Sequence, residues 1–221
     1  MNLIPVSLLG LGFLSGLKHA FDADHIAAVS TLASGNSIKK SSLLGLFWGF
    51  GHAIALFVAG LFVLLLKITI PEKLALFFEF IVAVMLILLG INVLLAIKKE
   101  KMHLHSHRHG KTEHIHLHSH KSASHHHAHI PLKKSLIIGL VHGLAGSAAL
   151  TLLILAGISS TALGLFYILL FGLGSMLGII LVSSIISLPF RLIPNKLQSI
   201  QNLLRLSTGI MSITIGLLII I

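Results

Sequence analysis

His19-Ala20-Phe21-Asp22-Ala23-Asp24-His25 stands inside an apolar stretch that runs from residue 4 to residue 33. Two imidazoles and two carboxylates are costly in hydrocarbon, at ~2.5 kcal/mol or more per charged group. A chain that keeps them in a membrane span uses them for an ion, a proton or a cofactor. The stretch is also longer than the ~20 residues of one straight crossing. Gly10, Gly12 and Gly16 precede the polar cluster. The stretch therefore reads as a bent or broken membrane helix around a polar centre.

The rest of the chain agrees. Its 221 residues are 55% hydrophobic and 10% charged, where a soluble domain carries about 25% charged residues. Mean hydropathy is +1.00. Six apolar segments stand at 4–33, 42–66, 75–97, 135–156, 162–187 and 200–221. The expected fold is all-α, a polytopic bundle of about six transmembrane helices. Without cysteine there are no disulfides, thiolate metal sites or thiol redox chemistry. In a soluble protein the net charge of +10 would suggest nucleic acid. Here the basic residues lie between apolar spans, so the expected partner is the lipid bilayer and no nucleic acid. The N-terminus lacks a basic region and a small-residue cleavage site, so no removable leader is expected.

An offset of 123 residues superimposes three motifs without gaps. Gly16-Leu17-Lys18-His19 falls on Gly139-Leu140-Val141-His142. Gly49-Phe50-Gly51-His52 falls on Gly172-Leu173-Gly174-Ser175. Ile70-Pro71-Glu72-Lys73-Leu74 falls on Ile193-Pro194-Asn195-Lys196-Leu197. The chain then divides into a first three-helix repeat at 1–97, a hydrophilic loop at 98–134 and a second repeat at 135–221. Three spans per half force the halves to run oppositely through the membrane. Inverted repeats recur in secondary transporters, with the substrate site between the halves.

Loop charge sets the orientation. Lys39 and Lys40, eight Lys/Arg between Lys98 and Lys134, then Arg191 and Lys196 fall on one side, against Lys67 and Lys73 on the other. The basic side is expected to be cytoplasmic. The chain is thus expected in the plasma membrane with both termini outside.

The candidate metal ligands are His19, Asp22, Asp24, His25, His52 and His142. His19, Asp22 and His25 are spaced by three, one face of a regular helix. Asp24 points elsewhere on such a helix, unless a local unwinding, which the nearby glycines allow, turns it inward or it orients a ligating imidazole through a ring nitrogen. His52 lies among the small residues of Trp48-Gly49-Phe50-Gly51-His52, which let another backbone approach. His142 is the repeat mate of His19. Imidazole nitrogen with carboxylate oxygen and no sulfur suits Ni, Co or Zn over Cu(I). The loop holds twelve further histidines: His103, His105, His107, His109, His114, His116, His118, His120, His125, His126, His127 and His129. They are expected to bind metal weakly, as a cytoplasmic buffer or sensor. Glu79 either relays protons or faces the membrane interface.

His19-Ala20-Phe21-Asp22-Ala23-Asp24-His25-Ile26 resembles the signature of the nickel/cobalt transporter family, a His, four intervening residues, then Asp-His. Phe50-Gly51-His52 resembles that family's next element. Gly143-Leu144-Ala145-Gly146-Ser147-Ala148-Ala149-Leu150 resembles its small UreH-like branch. The resemblance implies transport of Ni²⁺ or Co²⁺ as substrate rather than cofactor. His19, Asp24, His25 and His52 are the matched residues. Nickel-enzyme maturation proteins are the implied partners, and no enzymatic activity is implied. Uptake is favoured over efflux, although a His-rich cytoplasmic loop also resembles the family's exporters.

The readings weighed against this are a zinc carrier, a membrane haem protein ligated by the same histidines, and a metal-delivery protein whose loop is the working part. The aspartates beside His19 and His25 argue against haem, which needs axial imidazoles rather than a carboxylate-rich cavity.

Overall fold

The structure is a computed structural model that describes residues 3–68, 70–101, 105–109, 112–116, 131–145, 160–194 and 197–221. Seven helices are described: α1 Leu3–His19, α2 Ala23–Ala33, α3 Ile38–Leu66, α4 Glu72–Lys101, α5 Leu132–Gly143, α6 Thr161–Leu192 and α7 Gln198–Ile220. Between α4 and α5 runs a short antiparallel hairpin, β1 His105–His109 and β2 Thr112–His116, with His105 opposite His116 and His107 opposite His114. Among the described residues the regular structure is otherwise helical.

Among the described residues four helices, α3, α4, α6 and α7, are long and apolar enough to cross a membrane. Large side chains such as Phe62, Leu88, Phe166 and Leu218 are exposed on them, as lipid-facing residues are. The expected fourth span, 135–156, is described only through Ala145.

The first apolar segment is two helices. At its end α1 tightens, with Phe21 N donating to Lys18 O at 2.9 Å and Asp22 N to His19 O at 3.0 Å. Asp22 is then extended, with φ −63° and ψ 150°, and α2 starts after it. The break therefore falls at Ala20–Asp22, inside the polar cluster, as the expected broken helix requires. Gly12 and Gly16 lie inside α1 and serve close packing. α2 carries seven buried residues among its 11 and lies against α4, α6 and α7.

α1 packs on α6, and α5 packs on α3; α3 and α6 pack on each other, as do α4 and α7. The close approaches are reciprocal under the 123-residue offset. A Cβ on Gly16 would collide with the carbonyl oxygen of Phe171, and one on Gly139 with that of Trp48. Likewise Gly51 is pressed on Leu136, and Gly174 on Phe13. In each pair the offset exchanges the partners. The caps repeat as well: the Ser37 hydroxyl accepts from Lys40 N and the Ser160 hydroxyl from Leu163 N, both at 3.4 Å. Pro71 O accepts from Leu74 N, and Pro194 O from Leu197 N, both at 2.9 Å. Interhelical hydroxyl bonds add to the packing: Ser135 Oγ donates to Leu44 O at 2.6 Å and Ser212 Oγ to Leu86 O at 2.7 Å.

Candidate metal centre

Six ionisable side chains converge where the α1–α2 break meets α3 and α5. The break brings His19 and Asp22 from one side and Asp24 and His25 from the other. His52 comes from the middle of α3, and His142 from the last turn of α5. All four histidines are buried, His25 and His52 completely. Ring centroids of His19 and His25 are 4.4 Å apart, His25 and His52 5.0 Å, and His19 and His52 5.3 Å. His142 stands 4.3 Å from His25.

The convergence has a different cause from the expected one. His19, Asp22 and His25 do not line one face of a regular helix, because the helix is interrupted between them. Nor does Asp24 point away. Its Oδ1 accepts from His25 Nδ1 at 3.1 Å and from the His25 amide at 2.9 Å, and its Oδ2 accepts from His142 Nε2 at 2.9 Å. His19 Nδ1 donates to Asp22 Oδ2 at 2.8 Å. Each carboxylate thus fixes an imidazole's tautomer and aim, the role carboxylates play behind metal-ligating histidines. The two differ in setting: the Asp22 side chain is 45% exposed and that of Asp24 21%.

With Nδ1 of His25 engaged, its Nε2 is the nitrogen left to carry a lone pair. His25 Nε2, His142 Nδ1 and both nitrogens of His52 are buried with no hydrogen-bond partner. Buried polar atoms are normally satisfied; orphaned nitrogens on three neighbouring imidazoles suit a site that takes a cation. Two ligand groups are close enough to share an ion: His19, His25 and His52, and Asp24, His25 and His142, each with ligand atoms within 4.8 Å of one another. Ligands ~2.1 Å from an ion and trans across it stand ~4.2 Å apart, so a small inward movement closes either group. His25 belongs to both.

A profile described as that of a high-affinity nickel-transport protein, the NicO family, matches residues 6–221. The chain belongs to the NicO family. Urease accessory protein UreH of Bacillus sp. (strain TB-90) is 39% identical over 213 residues, 96% of this chain and 90% of that protein. Chloroplast protein FOR GROWTH AND FERTILITY 1 of Arabidopsis thaliana is 42% identical over 57 residues, 25% of this chain and 16% of that protein. No solved structure matches. NicO membership makes this a membrane protein of a metal-transport family, not an enzyme family.

Two residues at the NicO centre escaped the sequence reading as functional positions. Trp48 lies 5.4 Å from both His25 and His142, and Phe171 lies 5.4 Å from His19. The 123-residue offset relates Trp48 to Phe171 and His142 to His19, so the same offset exchanges these two aromatic–histidine contacts. Applying the offset to the lone tryptophan would have found both. Of the loop histidines, His105, His107, His109, His114 and His116 fall on the hairpin strands. His103, His118, His120, His125, His126, His127 and His129 lie outside the described residues.

Proposed function

We propose that this chain carries Ni²⁺ or Co²⁺ into the cell through the histidine centre. His19, His25 and His52 ligate the ion, Asp22 and Asp24 aim His19 and His25, and His142 reaches the ion's other side through the second group. The observation that carries this reading is the set of orphaned, buried imidazole nitrogens on three neighbouring rings, His25, His52 and His142. Nitrogen ligands without sulfur favour borderline divalent metals. Rings only 4.4 and 5.0 Å apart leave no slot for a porphyrin plane between them, which disfavours haem.

The same reading holds that residues 1–97 and 135–221 are two inverted three-helix units, joined by the 98–134 loop on the cytoplasmic side. Reciprocal contacts such as Gly16 on Phe171 and Gly139 on Trp48 support it. Such pseudo-symmetry lets the two halves exchange conformations, exposing one site to each side in turn. The loop charge bias supports outer termini. The urease accessory name of the relative supports inward supply, with nickel-enzyme maturation proteins as recipients. The loop histidines buffer the arriving metal.

The test is equilibrium Ni²⁺ binding to the purified full chain, beside His25→Ala and His52→Ala. One tight site, lost in both variants while loop binding persists, is the expected result. Unchanged tight binding in both variants would overturn the assignment.

A further inference from the structure

A cavity of about 460 Å³ lies between α2, α4, α7 and the end of α5. Among the described residues its only charged lining residues are Asp24 and Glu79; Ala23, Val82, Ala145 and Ile215 supply most of the remaining wall. We propose that Glu79 is the outer carboxylate of the ion's access route, holding a hydrated divalent cation in this cavity before it passes to Asp24 and the histidines. The proposal rests on the transport reading above and extends it to a residue outside the centre.

The position of Glu79 is the first argument. It precedes Val82, Ala83 and Leu86 by three, four and seven residues, so it shares their helix face. Those three residues are fully or almost fully buried. Phe77 and Phe80, on either side of it in sequence, are exposed. Glu79 therefore lies on the face that α4 turns inward and not on its lipid face. It is about 10 Å from the start of α4, at 1.5 Å per residue.

Cost is the second argument. A carboxylate inside an apolar span is expensive and is kept where it serves an ion path. Among the described residues Glu79 has no hydrogen-bond or ion-pair partner, so no structural pairing offsets that cost.

Continuity is the third. The cavity touches Asp24, whose two oxygens bond His25 and His142. An ion leaving Glu79 thus meets a carboxylate already joined to half of the ligand set. The volume accommodates an ion with several waters, at ~30 Å³ per water. Two acids in apolar walls concentrate cations, raising the rate of arrival without changing the final site. The cavity lies at the end of the bundle where α4 begins and α7 ends, the outer end in the proposed orientation.

The test is Ni²⁺ uptake by cells expressing wild-type, Glu79→Gln and Glu79→Asp chains, with equilibrium Ni²⁺ binding measured on each purified protein. Glu79→Gln is expected to raise KM about tenfold, within the range for electrostatic capture. Its maximal rate and its tight-site affinity should stay within about twofold of wild type, and Glu79→Asp should restore KM. An unchanged KM in Glu79→Gln would overturn the proposal, and so would loss of the tight site, which would make Glu79 part of the centre. The chain's lack of cysteine permits a second readout on Glu79→Cys. An anionic thiosulfonate added outside should lower KM and a cationic one raise it; equal effects would overturn the proposal. His25→Ala serves as the separate control: tight binding kept in that variant would sink the centre itself, whatever Glu79 does.

Discussion

His142 Nε2 donates to Asp24 Oδ2 at 2.9 Å, joining side chains 118 residues apart. This bond is the direct polar tie between the α1–α2 break and α5. Asp24 also holds His25 through its other oxygen. One carboxylate therefore sets the tautomers of two imidazoles, leaving His25 Nε2 and His142 Nδ1 to carry the lone pairs.

Asp24→Asn tests that role. An amide can accept at its oxygen but must donate at its nitrogen, so one of the two histidines is forced into the wrong tautomer. Nickel affinity is expected to fall ~10- to 100-fold, the usual loss when a ligand's orienting partner is changed. Titration of the purified variant checks this, and its thermal midpoint should move little.

Packing tests the reciprocal architecture. Gly16→Val and Gly139→Val each drive a side chain into a backbone carbonyl, on Phe171 and Trp48 respectively. Each is expected to destabilise the protein by at least the ~1–3 kcal/mol typical of overpacking. The two effects should be similar, because the contacts are offset mates. Gly10→Val is the control, since nothing lies within 4 Å of a Cβ there. Thermal unfolding in detergent reads all three.

Sidedness is open to single-cysteine labelling, because the chain has none of its own. An impermeant maleimide added to whole cells is expected to label Lys73→Cys and to leave Asn36→Cys unlabelled until the membrane is opened. The reverse pattern would invert the orientation and place the His-rich loop outside.

Deleting residues 103–129 removes all twelve loop histidines and leaves the helices intact. Transport through the centre is expected to survive, with the number of weakly bound nickel ions sharply reduced. Bound nickel per purified chain and uptake by cells measure the two effects.

Much of this was legible in the sequence. Hydropathy found the long helices, and the length of 4–33 required a break. Their cost in hydrocarbon marks His19, Asp22, Asp24 and His25, the small-residue motif marks His52 and the repeat marks His142; the structure brings all six together. What the sequence hid was the cause. Glycine loosens helices in isolation, so Gly10, Gly12 and Gly16 read as the source of the bend; here Gly16 is spent on contact with Phe171, a partner 155 positions away, and the break lies beyond it. The extended backbone at Asp22 has no comparable local signal. Spacing alone turns Asp24 off the face of a regular helix; the alternative that it orients a ligating imidazole through a ring nitrogen is the one the structure matches. Trp48 and Phe171 were invisible as site walls because aromatic residues in apolar spans are common, and only their offset relationship marks them.

The most direct test is accumulation of radioactive nickel in cells expressing the chain, beside cells expressing His19→Ala and Asp24→Ala. Accumulation above that of empty cells, lost in both variants at equal membrane expression, is the expected result. Variants that accumulate as much nickel as the wild-type chain would contradict a transport path through the histidine centre.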